Sequence, residues 1–361
     1  MRLSRRDFAL LASAASLAPA IARAEPPIPL IIAEGGAAEE RIEDTASALA
    51  VAMDQGCDFV QVTLYPTSEG TLVARRENEL SLTTDIAARP EFAARRTTKT
   101  LDGQSVDGWF TEDFTLAELK TLFCRERLPS LRPQNLKLNG KEPILTLAEV
   151  LQAARDGCVR TARTIGVCPR LMHVKHFADL NLAIDDRLAA ELATEGYVAP
   201  AAAIWVQAFE PEVLKAFAHA SPVRRMQLIA ADNPAQMTTD TGLATIRAYA
   251  DAIGPDQDLV LDPTAATFPV PTTLMLQAHQ AGLQVFSRSA RIENQFLPPQ
   301  LRKGDKRSPA FNAGHGDVDK LLLALFLNGV DGLATDLPGR AARARGDAIA
   351  AVQHRNQPSD D

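Results

Sequence analysis

At 361 residues, the chain is long enough for one large domain or two small ones, and α/β barrels often use this length as a single unit. Hydrophobic residues make up 46% of the sequence but aromatic residues only 5%, so a sizeable core must consist mostly of Ala, Leu, Val and Ile. The formal net charge of −7 gives no reason to expect a nucleic acid or an anionic membrane surface as a partner.

The amino terminus has the pattern of an export signal. The stretch "SRRDFALL" at residues 4–11 places twin arginines before an apolar segment, and "ARA" at residues 22–24 is a small-x-small cleavage site. We therefore predict a twin-arginine signal peptide over residues 1–24, cleaved after Ala24, and a periplasmic protein; the alternative is a disordered basic amino terminus. No mature segment is long and apolar enough to span a bilayer, so no stable membrane insertion is expected.

The cysteines show neither a CxxC pair nor the spacing of metal ligands. They are Cys57, Cys124, Cys158 and Cys168. An oxidising periplasm would permit a bridge between Cys158 and Cys168. Because the twin-arginine route exports folded proteins, we expect buried free thiols instead.

In chain order, apolar runs alternate with segments of helical periodicity. Strands are predicted at residues 30–33, 57–65, 70–76, within 161–174, and at 203–209, 224–230, 258–263, 283–289 and 329–336. Helices are predicted at residues 41–56, within 182–195, and at 211–220, 241–254, 271–282 and 319–329. Strands that alternate with helices, each strand an apolar run, favour a parallel sheet covered by helices.

About eight such units predict an α/β fold of the (β/α)8 TIM barrel type over residues 25–361, with a doubly wound open sheet as the alternative. Residues 85–140 hold too many polar and turn residues for one crossover. We interpret them as an insertion on an early βα loop, with a short helix at residues 115–123. Because barrel sites lie at the carboxyl ends of the strands, Glu34, directly after the first strand, is a candidate site residue.

Several segments resemble the glycerophosphodiester phosphodiesterase family, in particular its larger periplasmic members. The most specific is "RRTTKTLDGQSVDGWFTEDFTLAELKTL" at residues 95–122, and "ENELSLTTDIA", "VQAFE", "RIENQFLP" and "GVDGLATDLP" match as well. The resemblance runs from about residue 30 to about residue 340. It implies a TIM barrel of phospholipid and glycerol metabolism that uses Ca²⁺ or Mg²⁺ to hydrolyse glycerophosphodiesters to an alcohol and glycerol 3-phosphate.

The resemblance breaks down at the family's active site, where the register is anchored by Glu43. Glu34 and Arg76 stand where the family has its two catalytic histidines. The family's metal-binding carboxylates fall on Gln61, Thr63 and Arg170. The family residues that remain are Arg291, Glu293, Asn294, Thr335 and Asp336.

These replacements argue against the family's chemistry. A guanidinium stays protonated and cannot act as a general acid or base at neutral pH, and a hard cation prefers several anionic oxygens. We therefore expect no cofactor and a degenerate barrel, a pseudoenzyme, that binds a small phosphoester or another anion. Its binding residues would be Glu34, Arg76, Arg170 and Arg291, because guanidinium groups bind phosphate oxygens in a fork.

Three alternatives stay open. Glu34, Arg76 and Arg170 can instead form a buried salt-bridge cluster that closes the barrel mouth without any ligand. The chain can also be an active glycerophosphodiester phosphodiesterase, or it can use Glu34 in a different, metal-free hydrolysis. Whether the chain is an enzyme therefore remains undecided at the level of the sequence, and neither protein partners nor an oligomeric state are indicated.

Overall fold

The structure is a computed structural model that describes residues 28–232, 234 and 236–356. The predicted signal peptide at residues 1–24 lies outside the described residues. The strands, in chain order, are β1 (Leu30–Glu34), β2 (Phe59–Pro66), β3 (Leu72–Ala74), β4 (Thr97–Leu101), β5 (Gln104–Gly108), β6 (Leu145–Thr146), β7 (Gly166–Leu171), β8 (Trp205–Ala208), β9 (Arg224–Ile229), β10 (Ala252–Pro255), β11 (Gln284–Ala290) and β12 (Gly332–Thr335).

Eight of these strands close a parallel barrel in the order β1-β2-β7-β8-β9-β10-β11-β12. The barrel closes because β1 pairs in parallel with β2 on one side and with β12 on the other. The first strand, "LIIAE", is apolar on both faces because one face packs in the barrel interior and the other under the helices. This closed sheet confirms the predicted (β/α)8 TIM barrel and excludes the open doubly wound alternative.

Most of the helices cover the outside of the barrel. The helices are α1 (Ala46–Asp54), α2 (Leu116–Leu119), α3 (Leu147–Thr161), α4 (Val174–Asp179), α5 (Ile184–Thr194), α6 (Pro211–Ala220), α7 (Asp240–Arg247), α8 (Gln257–Val260), α9 (Leu274–Gln280), α10 (Val318–Leu327) and α11 (Pro338–Asn356). Helix α3 is absent from the predicted elements, although its start carries a capping box in which the Thr146 and Glu149 side chains each bond the other residue's backbone N–H. Among the described residues, no helix is long and apolar enough to cross a membrane.

One stretch of the predicted element order is wrong. The helix predicted at residues 241–254 ends at Arg247, residues 252–255 form the barrel strand β10, and the strand predicted at 258–263 is the short helix α8. Apolar residues keep a helical spacing as far as Ile253, so the spacing did not indicate that the helix ends earlier. Position 254 of this strand requires a glycine, because a Cβ there would lie only 2.6 Å from the Leu228 side chain on the neighbouring strand.

The predicted third strand lies outside the barrel. β3 pairs antiparallel with β2, and β6 extends the sheet beyond it. The segment predicted as an insertion contains the β4–β5 hairpin, α2 and short 3-10 helices around a small apolar core, in which the Trp109 Nε1 donates to the Phe92 carbonyl oxygen at 2.7 Å. Two histidine–carboxylate contacts, His173 with Asp102 and His176 with Glu112, fasten this segment to the barrel after β7.

Apolar side chains fill the barrel interior, and polar side chains lie above them at the carboxyl ends of the strands, which form the mouth of the barrel. The interior residues are Ile32, Phe59, Cys168, Trp205, Met226, Leu228, Ala252, Phe286 and Ala334. Side chains alternate along a strand, so the next inward position after Ile32 is Glu34, and after Cys168 it is Arg170. All four cysteines are free thiols, with Cys168 inside the barrel and the Cys158 thiol donating to the Ile165 carbonyl oxygen.

Candidate functional site

The structure brings Glu34, Arg76 and Arg170 together at the carboxyl end of the barrel. The Nη1 atoms of Arg76 and Arg170 both donate to Glu34 Oε1, at 3.1 and 3.3 Å. The Ser289 hydroxyl donates to Glu34 Oε2 at 2.9 Å, and Arg170 Nε donates to the Thr63 hydroxyl at 2.9 Å. One carboxylate therefore holds two guanidinium groups and one hydroxyl.

The glycine pair after Glu34 makes this position possible. Gly35 and Gly36 have φ angles of 69° and 83°, the left-handed region that favours glycine. A Cβ on Gly36 would lie 2.6 Å from the backbone carbonyl carbon of Ala48, so the loop packs directly against α1. The chain can thus turn away sharply and leave the Glu34 side chain at the mouth.

The two arginines differ in how well their charge is compensated. Burial by itself raises the pKa of Glu34, but the charges of Arg76 and Arg170 outweigh it and hold that pKa well below the usual range. Burial lowers the pKa of Arg76, yet Glu34, Glu43 and Glu77 reverse this and raise it. The pKa of Arg170 stays lowered, first by burial and then by the charge of Arg76. The ion pairs of the described residues agree with this difference: Arg76 has both Glu34 and Glu77 within 4 Å, whereas Arg170 has Glu34 alone.

A second buried network surrounds this cluster. Arg132, from the predicted insertion, donates through Nε to Glu293 Oε1 at 2.7 Å, through Nη2 to Asp336, and through Nη1 to the Ala38 carbonyl oxygen. The predicted site residue Arg291 lines the same cavity, but its Nε lies 3.9 Å from Asp336 Oδ2 and its guanidinium lies over the Phe296 ring. Arg291 therefore belongs to this network rather than to the Glu34 cluster.

Sequence reasoning missed three residues of the mouth. Arg127 and Arg132 come from the predicted insertion, and Arg127 pairs with Glu43 at 2.6 Å. Ser289 has a left-handed φ of 65° at an irregularity in the pairing of β11 with β12. No periodicity predicts these contacts.

Little empty space remains at the mouth. The cavity lined by Glu34, Arg76, Arg170 and Arg291 measures about 10 Å³, which is room for about one water molecule. The geometry of the mouth thus matches the salt-bridged arrangement that the sequence left open. An entering ligand must displace a side chain.

The glycerophosphoryl diester phosphodiesterase family matches residues 35–340 of the chain. This chain belongs to that family. Glycerophosphodiester phosphodiesterase GDPD6 of Arabidopsis thaliana is 30% identical over 339 residues, which cover 86% of this chain and 84% of the plant protein. The resemblance that the sequence segments indicated is therefore confirmed.

Solved structures of the family share the barrel fold. A glycerophosphoryl diester phosphodiesterase from Silicibacter pomeroyi superimposes with a TM-score of 0.61 at 15% identity, over 89% of this chain and 94% of that one. A phosphodiesterase from Oleispira antarctica in complex with the product sn-glycerol-3-phosphate has a TM-score of 0.57 at 16% identity, over 88% and 96% of the chains. At these identities the likeness shows the fold alone.

Family membership corrects one expectation. Members of this family generally use a divalent metal ion, so the expectation that no cofactor takes part is wrong. The residues at the replaced family positions nevertheless fit such an ion poorly: Gln61 and Thr63 are neutral, Arg170 repels a cation, and both guanidiniums already occupy Glu34 Oε1. The described residues hold no group of three or more His, Cys, Asp or Glu side chains placed to bind a metal.

Proposed function

We propose that this family member binds a small phosphoester at the barrel mouth through Arg76 and Arg170, and that it has lost the acid–base groups needed for hydrolysis. The observation that carries the proposal is that two guanidiniums share the single carboxylate of Glu34. Among the described residues, Arg170 has no carboxylate other than Glu34 within 4 Å and shares it with Arg76, so its charge is only partly compensated and the cluster favours a further anion.

The carboxylates near this cluster supply the missing charge only in part. Glu43 is paired with Arg127, Asp256 with Arg288, and Glu293 and Asp336 with Arg132. Glu77 lies 3.8 Å from Arg76 Nε but is 47% exposed, so water screens its charge. The lowered pKa of Arg170, caused first by burial, supports the same conclusion. A buried charge that is only partly paired is costly, and a bound anion would relieve that cost.

Phosphate is the anion that suits this arrangement. Guanidinium groups present planar N–H forks that match phosphate oxygens, and two of them, one on β7 and one on the loop after β3, can hold one phosphate group from two sides. The Oleispira antarctica relative of this fold binds sn-glycerol-3-phosphate. We extend that ligand class to this chain.

The loss of hydrolysis follows from the proton chemistry of the same residues. Arg76 remains protonated at neutral pH, and Glu34, held by two guanidiniums, has a pKa well below the range that suits a general base. The second candidate function is an active phosphodiesterase, which the name of the Arabidopsis relative favours. The two are distinguished by whether a phosphodiester is turned over.

We also propose that the mature chain works in the periplasm. The support is the twin-arginine segment at residues 4–11 and the "ARA" motif at residues 22–24. Sequencing the amino terminus of the protein from a periplasmic extract should give a chain that begins at Glu25. An uncleaved chain confined to the cytoplasm would contradict export.

Arg170→Met is expected to weaken binding of sn-glycerol 3-phosphate by about 10- to 100-fold, because hydrogen bonds to a charged group are lost. Isothermal titration at low salt measures the affinity. Arg340→Met is the matched control, since Arg340 pairs with Asp319 at the surface, at 37% and 60% exposure. Equal affinities of the wild type and the Arg170 variant, or no heat from the wild type at millimolar ligand, would count against the proposal.

A further inference from the structure

We infer that Glu34 is a built-in ligand of the mouth: its carboxylate occupies the place of the external anion and sets the affinity by competing with it. This inference rests on the proposed function and adds a self-occupied resting state to it. Glu34 Oε1 accepts hydrogen bonds from both guanidiniums, the two groups that a phosphoester would need. A carboxylate and a phosphate oxygen offer guanidinium the same kind of acceptor.

The space at the mouth requires this competition. The cavity of about 10 Å³ holds a water molecule but not a phosphate group, and Glu34 is 8% exposed. Arg170 is held at the mouth by a neighbouring barrel strand, because its Nε donates to the Thr63 hydroxyl at 2.9 Å. Glu34 is the acceptor that both guanidiniums share, so rotation of this one side chain frees both.

Ser289 holds the internal ligand in place. Its hydroxyl donates to Glu34 Oε2 at 2.9 Å, and its backbone adopts φ 65° where the register of β11 against β12 shifts between Ser287 and Ala290. Irregular strand ends re-aim side chains at functional sites, and a non-glycine residue in the left-handed region is held there by its surroundings. This irregularity of β11 therefore aims the hydroxyl at the carboxylate that must move.

The test compares three variants with the wild type in titrations of inorganic phosphate and of sn-glycerol 3-phosphate. Glu34→Gln removes the competing charge and should bind both ligands at least about tenfold more tightly. Ser289→Ala removes only the hydroxyl bond and should tighten binding about two- to fivefold. Glu77→Gln is the matched control, because Glu77 also lies near Arg76, at 3.8 Å from Nε, but is 47% exposed; its affinity should stay within about twofold of the wild type.

The outcomes separate this inference from the proposed function. Binding by the wild type with no gain in either the Glu34 or the Ser289 variant overturns the competition and leaves the binding function standing. Binding by the Glu34 variant alone supports the competition and shows that the wild-type mouth is closed to these ligands. Absence of binding in every variant overturns both. If Glu34→Gln fails to fold, the Ser289 variant decides.

Discussion

Replacing Arg132 with methionine is expected to lower the free energy of unfolding by about 3–5 kcal/mol, because it leaves two buried carboxylates without their counter-charge. Arg132, Glu293 and Asp336 are only 4%, 1% and 5% exposed, and Arg132 links the predicted insertion to the strand ends that carry the two acids. Burial already raises the pKa of Asp336 against the opposing charge of Arg132. Urea-induced unfolding followed by circular dichroism measures the change.

The control for this variant is again Arg340→Met. Its partner Asp319 is 60% exposed, and a surface pair of this kind contributes less than about 1 kcal/mol. If the Arg132 variant unfolded within 1 kcal/mol of the wild type, the idea that the insertion is fastened through this network would be wrong.

Replacing Asp44 with asparagine is expected to stabilise the protein increasingly as the pH rises from 5 to 8, by about 2–3 kcal/mol over that range. Burial first, and Glu43 second, raise the pKa of Asp44 to about 7 in the folded chain, from 3.8 for the free side chain. The folded state therefore binds a proton that the unfolded state releases. The stability that this proton contributes is fully present below the unfolded value and is lost as the pH rises through 7.

The neighbouring Glu43 changes stability in a different pH window. Burial raises the pKa of Glu43, but the charge of Arg127 outweighs burial and lowers this pKa to about 2. The stability that the ionised Glu43 contributes is therefore present above its pKa in the unfolded state and is lost as the pH falls below 5. The range from pH 5 to 8 thus separates the titration of Asp44 from that of Glu43. Thermal unfolding of the wild type and of the Asp44→Asn variant across this range gives the difference between their free energies of unfolding. Titrating groups that both proteins share cancel in that difference. A difference that does not change with pH would show that Asp44 is ionised throughout.

The barrel itself could be predicted from the sequence because its strands are short apolar runs between segments of helical period. That reasoning failed at residues 241–263, where apolar residues keep a helical spacing across a turn and a strand. It predicted a strand at residues 70–76 but not its place outside the barrel, since periodicity does not distinguish a parallel barrel strand from an antiparallel neighbour such as β3. Which strands pair with each other depends on the whole fold and cannot be predicted from the sequence of one segment.

The site was predictable where it depends on strand ends and not where it depends on loops. Glu34 and Arg170 lie at inward positions of barrel strands, so their approach follows from the register. Arg132 reaches the mouth from a long insertion, and Ser289 reaches it through a β-bulge, so neither position follows from a repeat. The family resemblance predicted the correct fold. It also implied the divalent metal ion of the family, and the expectation of a cofactor-free protein was wrong to exclude that ion.

The central claim, that the mouth binds a phosphoester without hydrolysing it, is tested most directly by ³¹P NMR of a glycerophosphodiester mixed with stoichiometric mature protein and Ca²⁺. The account predicts that the diester resonance broadens or shifts and that no glycerol 3-phosphate resonance grows over several hours. Arg170→Met should restore the sharp resonance of the free diester. A growing glycerol 3-phosphate signal that a chelator abolishes would contradict the account and establish an active, metal-dependent phosphodiesterase.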